Sequence, residues 1–241
     1  PKRDEVPYAC TGGLDTVAVR FPSHPMAREF IKATGTLIAA PSANVSTHVS
    51  PTTAKHVYDD LNGRIPLILD GGECEGGIES TILTLTRDIP TVLRPGIITE
   101  RDLLSVLSEV EMFKGKVERA EAPGMKYRHY APQASMHLIC GEGEGFYARA
   151  TEFLCERLAE SEDIGVLCPD EIAERLTGKY IVRLGRSADT EEHARRLFSA
   201  LRSFDDMPVK TIYAVSDGEE GIGLAIYNRM LKAAGYSVIN I

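Results

Sequence analysis

Beyond residue 134 the chain alternates short apolar runs with longer amphipathic stretches. Residues 135–140, 164–168, 180–184, 211–215 and 237–241 read as five short buried strands. Helical stretches lie between them at about 145–160, 169–177, 189–202 and 222–234. Alternation of this kind predicts a Rossmann-like parallel sheet with helices on both faces, a three-layer α/β unit over residues 134–241.

The first half is less regular. Strand-like runs occupy residues 15–21, 36–40, 65–69, 81–85 and 91–94. Helical spacing appears over 25–34, ending at Gly35, and over a stretch that closes at Asn62-Gly63. Ser50 before Pro51 reads as the start of that second helix, the serine capping and the proline sitting where its missing N–H costs nothing. A last helix runs from a Thr99 cap through Leu107. Short mixed units predict an α/β or α+β domain over residues 1–113.

Between the two lies a segment, 114–133, that neither pattern absorbs. Its core is Ala122-Pro-Gly-Met-Lys-Tyr-Arg-His-Tyr-Ala-Pro132. Pro123, Gly124 and Pro132 disfavour a regular element. A spacer has no need of Lys126, Tyr127, Arg128, His129 and Tyr130 in succession, so this linker is expected to touch something.

Composition narrows the classes. An apolar fraction of 43% and a charged fraction of 26% are those of an ordinary globular protein. No run approaches the ~18 apolar residues of a membrane span. Five scattered cysteines (Cys10, Cys74, Cys140, Cys155 and Cys168), with no Cys-x-x-Cys, point to reduced thiols and a cytoplasmic setting. The net charge of −8 has the wrong sign for a protein that coats nucleic acid, so any RNA or phosphate contact must be local.

Candidate chemistry collects at strand ends in the first half. Small or hydroxylated residues follow apolar runs at Ser42, at Ser46 to Ser50, at Gly76 to Ser80 and at Arg94 to Gly96. Serines and free backbone N–H groups at strand ends suit anions. Arg20 and Arg94 end two strand-like runs and offer forked donors to a carboxylate or phosphate. Each also has an ordinary reading: Ser50 as a cap, Ser42 as a turn residue, the arginines as surface ion pairs. There is no Walker lysine motif and no Ser–His–Asp or Cys–His arrangement. A site here would work by holding charged groups in place.

Several phrases occur in one order at close spacing: Thr11-Gly-Gly-Leu-Asp-Thr-Val-Ala-Val-Arg20, Ala40-Pro-Ser-Ala-Asn44, Ser50-Pro-Thr52, Leu69-Asp-Gly-Gly72, Glu79-Ser-Thr81 and Leu93-Arg-Pro-Gly96. Together they resemble the YrdC-like family, the threonylcarbamoyl-AMP synthases. The linker with a second domain behind it resembles the long two-domain form. The resemblance implies an N-terminal domain with a mixed twisted sheet and helices. It also implies an ATP-dependent condensation in the cytoplasm: L-threonine and bicarbonate form a carbamate that attacks the α-phosphate of ATP and expels pyrophosphate. The product, threonylcarbamoyl-adenylate, would pass to a tRNA threonylcarbamoyltransferase that modifies the adenosine beside the anticodon. Mg²⁺ is expected with ATP, without a dedicated protein site, and a weak tRNA contact is expected as well.

Carried onto this chain, the resemblance implies that Arg20, Ala40 and Ser80 bind threonine. It likewise implies that Thr16, Ser42, Ser50 and Arg94 contact ATP; the linker, set between the two domains, reads as a lid whose Tyr130 closes over ATP. Asn44, Tyr127, Lys126 and Arg128 would be secondary contacts, the tyrosines closing over the nucleotide. No covalent nucleophile is implied; Arg20 and Arg94 act electrostatically. The family's domain begins with a segment bearing a Lys-x-Arg motif that has no counterpart here, so more protein is expected upstream, its strands in the same sheet.

Two other readings stay open. One is an RNA-binding YrdC-like module without synthase activity, using Lys114, Lys116, Arg119, Lys126 and Arg128. The other is a carbamoyl-adenylate-forming maturation enzyme that shares the first domain. In the second half, Gly141-Glu-Gly-Glu-Gly145 lacks dinucleotide-motif spacing, and its glutamates would repel a pyrophosphate. Gly221-Ile-Gly-Leu-Ala-Ile-Tyr-Asn-Arg229 serves either packing or a contact between domains. His193 and Cys168 read as packing residues.

Overall fold

The computed structural model describes residues 1–46, 48–113, 131–216, 218 and 220–241. Lys126, Tyr127, Arg128 and Tyr130 lie outside them, as do Lys114, Lys116 and Arg119.

The second half follows its pattern. β4 (Ser135–Cys140), β5 (Ile164–Cys168), β6 (Tyr180–Arg183), β7 (Thr211–Val215) and β8 (Val238–Asn240) form one sheet in the order β6-β5-β7-β4-β8. All of its ladders are parallel. From β4 the chain steps toward the β6 edge through α5 (Phe146–Glu160) and α6 (Asp170–Ala173). It then steps back through α7 (Thr190–Ser203) and α8 (Gly221–Ala233). Right-handed crossovers put the two pairs of helices on opposite faces. Strand alternation divides the core accordingly. Leu138, Leu167, Ile212 and Ala214 pack with Leu197, Leu201, Ile226 and Met230 on the α7–α8 side. Ile139, Val166, Cys168 and Val215 pack with Ala150, Leu154 and Ile172 on the other. β5 is buried at every position, as expected of a strand covered on both faces.

The first half contains α1 (Tyr8–Thr11), α2 (Pro25–Thr34) and α3 (Ala54–Leu61). A mixed sheet follows, built from β1 (Ile82–Thr84), β2 (Thr91–Arg94) and β3 (Glu111–Met112), with α4 (Glu100–Leu104) before β3. β1 and β2 are antiparallel, β2 and β3 parallel. Thr99 caps α4 through a reciprocal box with Asp102, as its sequence predicts, although the helix ends at Leu104 and not at Leu107.

Two expectations fail. Residues 15–21, 36–40 and 65–69 form no ladder among the described residues. Their apolar side chains stand in the open, with Val19 86%, Phe21 87%, Leu37 76% and Leu67 70% exposed. Alternation is a local property, whereas a strand also needs a neighbour to take its N–H and C=O groups, and the described residues supply none here. The second failure is the Ser50 cap. α3 starts later, at Ala54, and its cap is Thr53, whose hydroxyl accepts from the His56 N–H at 3.2 Å. Ser50 is left for another partner.

The first half is keyed into the α7–α8 layer of the second. Val49, 1% exposed, belongs to that core, and Ile78 packs against it. Gly77 lies so close to α7, in a left-handed conformation (φ +62°), that a Cβ there would come within 2.3 Å of the Ala194 carbonyl. From the same helix, Arg202 Nη2 donates to the Val49 carbonyl (2.6 Å) and to Asp60 Oδ2 (2.7 Å), and Nη1 to Asp60 Oδ1 (3.0 Å). Asp60 also accepts from the Val45 N–H (3.3 Å).

The Arg202 hydrogen bonds hold the Asp60 carboxyl below its ordinary 3.8, against the opposing effect of burial. A depressed carboxyl pKa stabilises the fold above the ordinary value, and that contribution is lost as pH falls through the folded one. Arg202→Met should therefore cost about 3 kcal/mol at pH 7, with Asp60 left nearly buried and unpaired. The gap from wild type should close as pH drops below 3.8. Urea unfolding of both proteins between pH 7 and pH 2 measures it.

Candidate functional site

Ser50, Glu79, Ser80 and Arg94 meet where the first-half loops touch α8. Arg94 closes β2 opposite Ile82, beside a register shift between Ile82 and Leu83. Such a bulge re-aims neighbouring side chains. Arg94 is 4% exposed, and its Nε and Nη2 both donate to the Ser80 carbonyl, at 3.2 and 3.0 Å. The Pro95–Gly96 turn then lies directly on the Glu79–Thr81 segment. A Cβ on Gly96 would sit 2.3 Å from the Thr81 nitrogen and 2.7 Å from the Glu79 carbonyl oxygen. Only glycine permits that approach. Thr81 Oγ1 donates to the Ile98 carbonyl (2.6 Å) across the same contact.

Ser50 Oγ donates to Glu79 Oε1 at 3.0 Å. Its one hydroxyl proton is thereby used, so a phosphate oxygen would receive it only after rotation away from Glu79. The other Glu79 oxygen, Oε2, accepts from Arg229 Nε at 3.1 Å. Burial works against the Glu79 charge, but Arg229, Arg94 and the Ser50 hydroxyl together hold its carboxyl below the ordinary range. Arg229 is readable in the sequence only as part of a helix start with two meanings, and both are found: Ile226 packs in the core, while Arg229 makes the contact between domains.

The other expected contacts are not tied to this cluster. Thr16, Arg20, Ala40 and Ser42 are all exposed, on stretches without regular secondary structure. Arg20 makes no hydrogen bond or ion pair among the described residues, which leaves its fork open to solvent. Asn44 stiffens its own loop, donating to the Val45 and His48 carbonyls at 2.8 and 3.1 Å. Its Oδ1 is buried with no partner among the described residues.

The other second-half candidates, His193 and Cys168, stand apart from this cluster. His193 is 3% exposed, with Nε2 against the Gly185 carbonyl (3.2 Å). Burial pushes the Cys168 thiol up to about 12, so it is inert. Among the described residues no group of three or more His, Cys, Asp or Glu side chains could hold a metal ion. No helix there is long and apolar enough to cross a membrane.

Lys232, one turn beyond Arg229, was not singled out by sequence reasoning. It is 8% exposed, and its Nζ donates to Asn228 Oδ1 at 2.8 Å. Arg229 is paired with the Glu79 carboxylate, and Arg94 and Lys232 lie within electrostatic reach of it, a positive excess that suits an anion. Burial pushes the Lys232 ammonium down to about 8, with Arg229 and Arg94 adding to the shift and Glu79 opposing it. A lysine with a lowered pKa destabilises the fold while charged, so stability rises as pH climbs from about 8 toward 10.5. Lys232→Met should stabilise the protein at pH 7 by on the order of 2–3 kcal/mol and remove that alkaline gain. Urea unfolding of both proteins at pH 7 and pH 10 measures the difference.

Comparison with known proteins gives this geometry a setting. Residues 98–235 match the family model for the threonylcarbamoyl-AMP synthase C-terminal domain. Residues 1–96 match a model described as telomere recombination. The chain is 44% identical to the threonylcarbamoyl-AMP synthase of Bacillus subtilis, over 99% of its own length and 68% of that protein's. It is 41% identical to the one from Pyrococcus abyssi, over 100% of its length and 70% of that protein's. A crystal structure of P. abyssi Sua5 complexed with L-threonine superposes with a TM-score of 0.90 at 40% identity, covering 100% of this chain and 70% of that one. Such identity over both halves, with the same fold throughout, means that the chain belongs to the threonylcarbamoyl-AMP synthase family in its two-domain form.

Proposed function

We propose that this chain forms L-threonylcarbamoyl-adenylate from L-threonine, bicarbonate and ATP with release of pyrophosphate, for modification of tRNA beside the anticodon. The observation that carries the reading is the half-buried cluster of Ser50, Glu79, Ser80 and Arg94, made positive on balance by Arg229 and Lys232 beside it. It offers donors and fixed charge but no activated nucleophile, which is what a reaction between two substrates requires of its enzyme. Residues 1–113 would be the catalytic domain and 134–241 an accessory one, joined through 114–133.

Within this reading Arg20, exposed and forked, takes the threonine carboxylate, with Ala40 and Ser80 beside it. The solved relative complexed with L-threonine supports threonine as a substrate. Arg94, already braced on Ser80, faces ATP phosphate with Thr16, Ser42 and Ser50, and Asn44 supports their loop. Tyr130 completes the ATP contacts, with Tyr127, Lys126 and Arg128 secondary. Mg²⁺ would supply charge neutralisation on the phosphates. Glu79 does not fit as its ligand, because one of its oxygens is bound to Arg229 and the other to Ser50. A tRNA threonylcarbamoyltransferase would receive the product.

Pyrophosphate release should require threonine, bicarbonate and ATP together, and omission of any one should abolish it. Release without threonine, or with carbamoyl phosphate in its place, would refute the reading. Arg20→Ala should raise the KM for threonine about tenfold or more and leave that for ATP nearly unchanged, as loss of a ground-state carboxylate contact requires.

A further inference from the structure

We infer that Arg229, on the last helix of the second domain, is a positioning residue for the substrate loops of the first, acting through Glu79. The inference rests on the proposed reading of those loops as the ATP and threonine site. Arg229 is fully buried (0% exposed). An arginine so placed must find partners for its charge and its donors. Besides the Nε bond to Glu79 Oε2, Nη2 donates to the Glu79 carbonyl (3.1 Å) and Nη1 to the Pro95 carbonyl. A further, longer bond from Nη1 reaches Ala225 of its own helix (3.4 Å).

One planar guanidinium thus fixes two segments relative to each other: 79–80, which carries Ser80, and 94–95, which carries Arg94. Through the far oxygen of Glu79 it reaches a third, at Ser50. Glu79, Ser80, Arg94 and Ser50 are thus all linked to this one fork, the Ser50 segment being held by Arg202 as well. A lysine could keep the charge but not the geometry.

Docking of the two domains does not depend on Arg229 alone. Val49 and Ile78 lie in or against the α7–α8 core, and Arg202 grips Val49 and Asp60 independently. Loss of the fork should therefore loosen the loops without separating the domains.

The test uses the full chain as Arg229→Lys, Glu79→Gln and the double variant, alongside wild type. All are assayed for pyrophosphate release, thermal midpoint and hydrogen exchange of segments 48–52 and 76–82 without ligand. The expected result is folded variants with exchange in both segments raised at least about tenfold. For Arg229→Lys, kcat/KM for ATP should fall roughly tenfold to a hundredfold, the scale of a small misplacement remote from the chemistry. The double variant should be no worse than the poorer single one, since both break the same link. A lowered midpoint with kcat and KM within about twofold of wild type would make Arg229 simple interface packing and overturn the inference. Additive effects, or unchanged exchange at 76–82 in both single variants, would overturn it too. If Arg229→Lys does not fold, Glu79→Gln, which keeps a hydrogen-bonding side chain at the same place, decides by the same criteria. Wild-type inactivity would remove the proposed function, whereas the exchange measurement reads positioning without it.

Discussion

The constraint on which the arrangement turns is the cost of burying Arg229. A guanidinium taken out of water is tolerated only when its charge is matched and its fork of donors is satisfied. Glu79 supplies the charge, and the carbonyls of Glu79 and Pro95 take further donors. Because those partners lie on loops of the other domain, satisfying one side chain of α8 dictates where the loops run. Arg94 on the Ser80 carbonyl and the Pro95–Gly96 turn on Glu79–Thr81 then follow from close packing.

The second domain is accordingly a frame. Its parallel sheet is covered on both faces, and the α7–α8 layer has apolar surface left over for Val49 and Ile78. Those two side chains flank Ser50 and Glu79 in sequence, so each anchored position lies next to a functional candidate. Arginines from two successive helices reinforce the anchors at their polar margins. Short irregular loops are held in this way by contacts that their own composition does not provide.

The second domain was legible in the sequence nearly strand for strand, because burial on both faces writes each strand as a continuous apolar run and each helix as an amphipathic one. The first domain was less so. Runs at 15–21, 36–40 and 65–69 carry the period of a strand, yet pairing is a non-local property that they do not encode. Ser50 shows the same limit at one residue. Its local context, a serine before a proline, specifies a cap as well as any rule can, but α3 takes Thr53 instead and Ser50 turns to Glu79, 29 positions away.

The family phrases and the candidate contacts Ser50, Ser80 and Arg94 were present in the linear chain, since each needs only its own residue type and a neighbouring turn. Sequence also determined the fold class, because hydrophobic periodicity is local. The tertiary structure alone decided that Arg229 and Lys232, more than a hundred positions from Arg94, share its surroundings, and that Glu79 is committed to a guanidinium and so does not fit as a metal ligand. Burial and charge compensation act through space, and nothing in the spacing of residues along the chain announces which charges will meet.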